Sequence, residues 1–532
     1  MLKIAGIDPT SLPCVRHLEL AEVYVPSAVF YSTLTPMSGD VLGPVTETPV
    51  LIVGGGPVGL STSIFLSRQG VRSLLVERHA STALHPKARG INIRTMEIFR
   101  QHGLEQPIRD AGILPGAAPL SVWAQTLAGE EMVRSVVTTV SAETGRLLSP
   151  TTGCGCPQDV LESVLRNYAG QFDHADIRFN HELMDFAQDA SGVTATIRDR
   201  TSDEVICARA QYLVGADGAH SSVREALGIK MVGQAGISHS MSILFRADLS
   251  VYLKERPILI CFIQHPDAPG LLLWTGAGGR WCFNTHFPDQ QSADNFGTER
   301  AVELVRTAVG APDLQVEILS CAPWTVSARV ADRYSVGRIF LVGDAAHEMT
   351  PAGGHGMNTG IQDAHNLAWK LAATLQSAAG SRLLDTYECE RRPVGRWVTE
   401  WSLENFASIM EKMHGRQPKG GASTPPDGAR ARPGTLNEEG IVFGISYESE
   451  AVVPDETHPP VLANPVTDYI PNARPGSRAP HVWLDRNGER ISTLDLFGRG
   501  FVLLAGKSGT AWCKAAEAVA DSLNLPLRAP GP

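Results

Sequence analysis

Residues 50–77 read VLIVGGGPVGLSTSIFLSRQGVRSLLVE, and this stretch decides the fold class. A short apolar run, Val50–Val53, leads into Gly54-Gly55-Gly56-Pro57-Val58-Gly59, after which Leu60, Ile64 and Leu66 give an apolar helix face. Gly70 stops the helix, and a second run, Arg72–Val76, ends at Glu77. Strand, glycine turn, helix and strand in this order form the opening unit of a dinucleotide-binding fold. Gly54 permits the tight turn, Gly56 lets a pyrophosphate approach the backbone, and Gly59 lets helix and strand pack closely. The phosphates then lie on the amide donors of the helix N-terminus. Glu77 is placed to accept hydrogen bonds from an adenosine ribose. The pattern serves FAD and NAD alike, and the glycines alone do not separate them.

Two later stretches carry chemistry. In YLVGADGAHSSVREALG, residues 212–228, a strand ends in Asp217-Gly218 and a helix starts between Ser221 and Arg224. Taken alone, this is equally an ordinary strand–turn–helix with Arg224 as a solvated charge. In GDAAHEMTPAGGHGMNTGIQDAHN, residues 343–366, His347, His355 and His365 stand among Asp344, Glu348 and Asp363. Ligation of a metal is one reading, but no pair of these histidines has i,i+4 spacing on the helix and HEMTP lacks the second His of HExxH. The glycines favour a flat ligand. Asp344 follows an apolar strand, Ile339–Val342, at the carboxyl end of a sheet, where open α/β folds bind ligands and an acid can hold a polyol chain. The Gly353–Gly356 turn lets backbone amides touch a planar ring. A helix starting near Met357 aims its positive end at the same place, suited to the negative charge of a reduced flavin.

Composition bounds the answer. At 532 residues, with 43% hydrophobic and 19% charged residues, the chain is globular and multi-domain. A net charge of −10 without a basic run argues against a nucleic-acid partner. The longest apolar run, ILICFI at 258–263, is too short to span a bilayer, and the N-terminus lacks the apolar core of a secretory signal. Nine scattered cysteines without a framework suggest reduced thiols, hence a cytoplasmic protein. Further along, Gln158–Tyr168 reads as a helix and Tyr212–Val214 as a strand, while SILFRADL, ILICFIQ, LLLWTG and RWCFNTHF read as a mainly antiparallel sheet. Ile361, Ala364, Leu367, Ala368, Leu371 and Leu375 make one stripe of a long helix. Gly500–Ala505 reads as a strand and Thr510–Leu523 as a helix.

Together with HPKARGINIRTMEIFRQHGL at 85–104, CPQDVLESVL at 156–165 and YECERRPV at 387–394, these stretches resemble the single-component FAD-dependent aromatic hydroxylases of the p-hydroxybenzoate hydroxylase fold. The likeness is greatest to the antibiotic-pathway hydroxylases of polyketides and indolocarbazoles. The segments at 440–449 and 474–504 are similar to the entry of their thioredoxin-like C-terminal domain. The resemblance implies an α/β fold with a Rossmann-like FAD-binding domain (48–115, 155–229 and 330–413) and an antiparallel-sheet substrate domain (116–154 and 230–329). Residues 1–47 are then an N-terminal extension, 414–437 a linker, and 438–532 an incomplete thioredoxin-like module. SGTAWCK at 508–514 lacks a CxxC pair, so that module is expected to be structural.

By position, the resemblance places Gly54, Gly56, Pro57, Gly59, Glu77 and Arg78 on the ADP half of FAD. It places Arg89 near the flavin's phosphates or ring, Gln158 on the ribityl or pyrophosphate side, and Gly343 and Asp344 at the ribityl hydroxyls. Pro351, Gly354, Gly356, Met357 and Asn358 face the isoalloxazine, and Asp217 and Gly218 meet the pyrophosphate and a transiently bound NAD(P)H. The implied reaction passes one oxygen atom of O₂, through a C4a-hydroperoxyflavin, to an electron-rich phenol or polycyclic aromatic. Baeyer–Villiger or epoxidising chemistry, and a flavoprotein that sequesters an intermediate without turnover, are the alternatives. No protein nucleophile is required, and the sequence assigns no catalytic acid–base pair. Arg246 is a substrate-side candidate that could bind a carboxylate or phenolate, with a surface salt bridge as the rival reading. His239, Trp274 and His286 lie on the same expected sheet. The chain is expected to act as a monomer or homodimer.

Overall fold

A computed structural model describes residues 45–113, 119–137, 140, 142–276, 278–287, 296–413, 438–506 and 508–530. The expected linker and nearly all of the N-terminal extension lie outside the described residues.

The glycine-motif strand, Val45–Val53, sits inside an eight-stranded sheet. It pairs in parallel with Ser73–Glu77 on one side and Val205–Gly215 on the other. Val205–Gly215 pairs in parallel with Ile339–Leu341, and Ser73–Glu77 with Ala175–Phe179. Register puts Val53 opposite Gly215, and Gly215 opposite Leu341. The turns at Gly54, Asp217 and Gly343 therefore leave the sheet at one edge, the place where open parallel sheets bind ligands. Val50, Leu51 and Ile52 are completely buried, as strands covered on both faces must be. Helices Pro57–Arg68 and Gly356–Leu375 pack on this sheet through Leu60, Ile64, Ile361, Leu367 and Leu371. Leu375 is only partly buried, since its turn ends the helix.

The second sheet also has eight strands, in the order His347–Glu348, Glu317–Ala331, Met231–Arg246, Arg280–Phe287, Gly270–Trp274, Ile258–Ile263, Leu120–Ala124 and Glu131–Val136. It is antiparallel except where Ile258–Ile263 meets Leu120–Ala124. One face buries Met241, Ile243, Phe245, Trp281 and Phe283 under helix Thr298–Val309. Alternation sends Ser242, Leu244, Cys282 and Asn284 to the other face, towards the nucleotide-binding body.

Several boundaries differ from expectation. The strand expected at Arg72–Val76 is Ser73–Glu77, because pairing with Val50 begins at Ser73. The strand expected at Gly500–Ala505 is only Phe501–Val502: its partner, Leu527–Arg528, is two residues long and Gly500 has φ +84°. Glu317–Ala331 had no sequence signal because it contains Pro323. Proline is tolerated there because the outer strand covers only Arg329 and Val330, leaving the Pro323 end an edge.

Candidate flavin site

Three turns converge at the carboxyl edge of the parallel sheet. Gly54 has φ +111°, and a Cβ on it would lie 2.3 Å from the Ala216 carbonyl oxygen. A Cβ on Gly59 would lie 1.9 Å from the Gly54 carbonyl oxygen, so helix and turn are in backbone contact. Gly56 differs, for among the described residues nothing lies within 4 Å of where its Cβ would be. It caps helix Pro57–Arg68 with no side-chain hydrogen bond, so the first-turn amides face open space. That is a cradle which a side chain would fill and a phosphate suits. Glu77 already holds the turn: one carboxylate oxygen accepts Gly55 N–H at 2.6 Å and the other His79 N–H at 2.8 Å. Arg78 is exposed beside it.

Asp217 organises the second turn. Its carboxylate accepts from the Ser221 hydroxyl at 2.6 Å and from Ser222 and the Val223 amide, while Gly218 has φ +81°. Arg224 is not a solvated charge. It is buried, donating to the carbonyls of Ala219 and Ala345, and so ties this turn to the third.

In the third turn Gly343 has φ +63° and packs on Val58. Asp344 follows. Solvent reaches it through the cleft while protein surrounds it, and the resulting desolvation pushes its carboxyl pKa up, with His347 and Lys87 opposing. Gly353 and Gly354 both have positive φ, and a Cβ on Gly354 would meet nothing. Pro351 is exposed beside them and Met357 is half-buried. Asn358 clamps this loop: its amide donates to the carbonyls of Gly90 and Gly354, and its oxygen accepts Asn92 N–H. Helix Gly356–Leu375 starts without a side-chain cap or an acid in its first turn, so its positive end stays available.

The three histidines of this stretch go to separate places. His347 Nε2 lies 2.7 Å from Asp363, and Arg391 donates to the same carboxylate at 2.7 Å; all three are completely buried. Burial alone would raise the Asp363 pKa, and Arg391 and His347 outweigh it to hold the carboxyl below its ordinary value. His355 turns to Glu438, which accepts a hydrogen bond from Trp401. His365 packs edge-on against Phe65 and His102.

Gln158 binds Glu162 and the Ala88 amide at the start of helix Gln158–Ala169. Arg89 donates to the carbonyls of Trp274 at 3.0 Å and Leu259, bridging to the second sheet. Burial lowers its pKa to about 10, still a cation at neutral pH. It makes no ion pair among the described residues.

On the substrate side, Arg246 is corrected. It pairs with Glu317 at 2.6 Å with both side chains at least half exposed, which is the surface salt bridge of the rival reading. Trp274 pairs with Trp281 and packs on the helix-covered core, and His239 contacts Thr325 and Phe287. Arg246 alternates onto the face of Ser242 and Leu244 but at its exposed end, and His286 also lies on that face, where Ser238 and Ser240 bind its Nδ1. The residue that sequence reasoning missed is His85, whose ring joins Ser242 and Ser320 on that face at 2.8 Å each. Its place in HPKARG was the available signal.

Known proteins resemble this chain over most of its length. Residues 47–402 match the family model described as an FAD binding domain, and residues 472–528 match that of the aromatic-ring hydroxylase C-terminal region. The chain is 42% identical over 510 residues to the tetracenomycin A2 monooxygenase-dioxygenase of Streptomyces glaucescens, covering 90% of this chain and 86% of that protein. It is 38% identical over 471 residues to the aklavinone 12-hydroxylase of Streptomyces peucetius, covering 88% and 93%. Among solved structures, aklavinone-11 hydroxylase in its ternary complex with FAD and aklavinone superposes with a TM-score of 0.79 at 36% identity, covering 91% of this chain and 88% of that one.

Proposed function

The chain belongs to the FAD-binding aromatic-ring hydroxylases, and from that premise we propose that its substrate is an electron-rich polycyclic phenol of a polyketide pathway. It is an FAD-dependent aromatic monooxygenase that uses NAD(P)H as co-substrate. The observation that carries the reading is the convergence of the empty space at Gly56, the Asp344 carboxylate and the uncapped helix at Gly356 on one sheet edge. Baeyer–Villiger oxidation and sequestration without turnover are not favoured by relatives of this kind.

FAD bound here supplies the redox chemistry, taking reducing equivalents from the nicotinamide and activating O₂. The chain's residues position it. Gly54, Gly56 and Gly59 shape the pyrophosphate seat, with Glu77 and Arg78 at the adenosine end and Gln158, Asp217 and Gly218 around them. Asp344 accepts from the ribityl hydroxyls, and the segment from Pro351 to Asn358 presents amides to the ring. Arg89, a half-buried cation without a carboxylate partner among the described residues, would meet an anionic group of cofactor or substrate. We propose the domain division expected from sequence, although His347–Glu348, within the 330–413 segment, pairs with the second sheet. Among the described residues no helix is long and apolar enough to cross a membrane, and we place the protein in the cytoplasm.

Asp344→Ala tests the ribityl role. Among the described residues Asp344 makes no hydrogen bond that would be lost, so thermal stability of the apoprotein should hold. Losing a charged hydrogen-bond acceptor costs about 1.5–3 kcal/mol, hence FAD affinity falls roughly 10- to 100-fold. Fluorescence titration of apoprotein with FAD reads this; unchanged affinity refutes the role. The function itself is tested by NAD(P)H consumption with bound FAD, which polycyclic phenols should accelerate and non-phenolic polycycles should not.

A further inference from the structure

We infer that Ser320 and His85 form a proton-accepting pair on the cleft wall that takes the ring-hydroxyl proton of the aromatic substrate. This rests on the hydroxylase reading and goes further by naming the base. The cleft face of the second sheet is mainly apolar beside this pair, with Leu244, Leu273 and Cys282 in one small cluster. A polar row crosses it. Ser242, 7% exposed, donates to Asn284 Oδ1 at 2.5 Å. A hydroxyl has one proton, so Ser242 Oγ must accept from His85 Nε2–H at 2.8 Å. The tautomer follows: Nδ1 carries the lone pair and accepts Ser320 O–H, also at 2.8 Å. Ser242 and Asn284 thus hold the ring with its basic nitrogen on Ser320, the more exposed of the two serines.

The groups around the imidazole favour its neutral form. Burial is the largest influence, Lys87 on its own loop and Arg280 on the sheet act in the same direction, and Asp159 on helix Gln158–Ala169 opposes them. Arg280 is itself paired with Asp159 at 2.7 Å, and the Cys282 thiol lies 4.0 Å from Nε2. His85 is also close to the flavin seat along the chain. Gly90, five residues on, touches Asn358, and five residues span at most about 18 Å.

The step is a proton transfer only. The substrate O–H bond breaks and its proton goes to Ser320 Oγ, while the Ser320 proton moves to His85 Nδ1. Aryloxide and imidazolium result, with no change of oxidation state. The aryloxide is the more electron-rich ring, which is the form that receives oxygen.

The test compares wild-type holoenzyme with His85→Asn and Ser320→Ala, using 1-naphthol and alizarin with isotopically labelled O₂. Product is followed from mildly acidic pH to above each phenol's own pKa. Both variants should keep FAD and be stimulated by the phenols, yet form labelled product about 100-fold more slowly at low pH, the scale of a lost general base. The rate should recover as the phenol ionises in solution, which a packing defect would not produce. A loss equal at every pH, or no loss in either variant, overturns the assignment. A wild-type holoenzyme that forms no labelled product from either phenol contradicts the hydroxylase reading, and this proposal with it.

Discussion

Gly59→Ala is expected to destroy the cofactor site and the stability of its domain, whereas Gly56→Ala should leave the fold intact and lose only the cofactor. The added methyl at 59 would stand 1.9 Å from the Gly54 carbonyl oxygen, and backbone cannot move aside as a flexible side chain can. Overpacking of this kind costs about 3 kcal/mol or more, a large share of a domain's net stability. At 56 the methyl meets nothing within 4 Å among the described residues. Apoprotein melting should therefore match the wild type, while FAD binding weakens roughly 100-fold or more because the methyl occupies the phosphate seat. Thermal melts of both apoproteins with FAD titration separate the outcomes. Wild-type FAD affinity in Gly56→Ala would show that no phosphate approaches there.

Arg391→Leu should be the most damaging change outside the glycine turn. Arg391 is fully buried, donating to Asp363 at 2.7 Å, to Thr359 O and to Tyr447 Oη at 2.9 Å. Removing one partner of a buried ion pair leaves the other uncompensated and costs about 3–5 kcal/mol. The same carboxylate accepts Gly343 N–H at 3.2 Å, so the flavin turn loosens with it. The pH dependence has a defined sign. Asp363's folded pKa is depressed below its ordinary value, so its contribution is present above that value and is lost as pH falls through the folded pKa. In the variant Asp363 takes up a proton more readily, so the stability gap should narrow as pH falls from neutral to acid. Denaturant melts across that range measure it, and a gap independent of pH would contradict the charge argument.

How much of this was readable beforehand depends on sequence distance. The Gly54 turn, its helix and Glu77 are local, each set by conformation within 28 residues, and the geometry stands in the sequence. Asp344 is readable because a strand end is a position in a pattern. By contrast, His85 meets Ser320 across 235 residues and Ser242 across 157, and only the folded sheets bring them together. Arg224 read equally well as a surface charge because what buries it is distant: besides the Ala219 carbonyl five residues away, its acceptor is Ala345, 121 residues away. Arg246 lies on the face of Ser242 and Leu244, but it ends its strand, where solvent and Glu317 on the neighbouring strand make it a surface pair. Where a strand such as this one ends against solvent is the less readable part of its pattern. His355 stood among the candidate ligands of a metal, but it turns to Glu438, beyond the long helix Arg382–Met413 and 83 residues away in sequence.

The central claim is that this chain binds FAD and uses it to place one oxygen atom on a phenolic ring. The direct measurement is mass spectrometry of the product formed by the FAD-loaded protein with NAD(P)H, a polycyclic phenol and isotopically labelled O₂. A single labelled oxygen on an intact aromatic ring is the predicted result. NAD(P)H oxidation that yields only hydrogen peroxide, or a product whose ring has been expanded to a lactone, would contradict it.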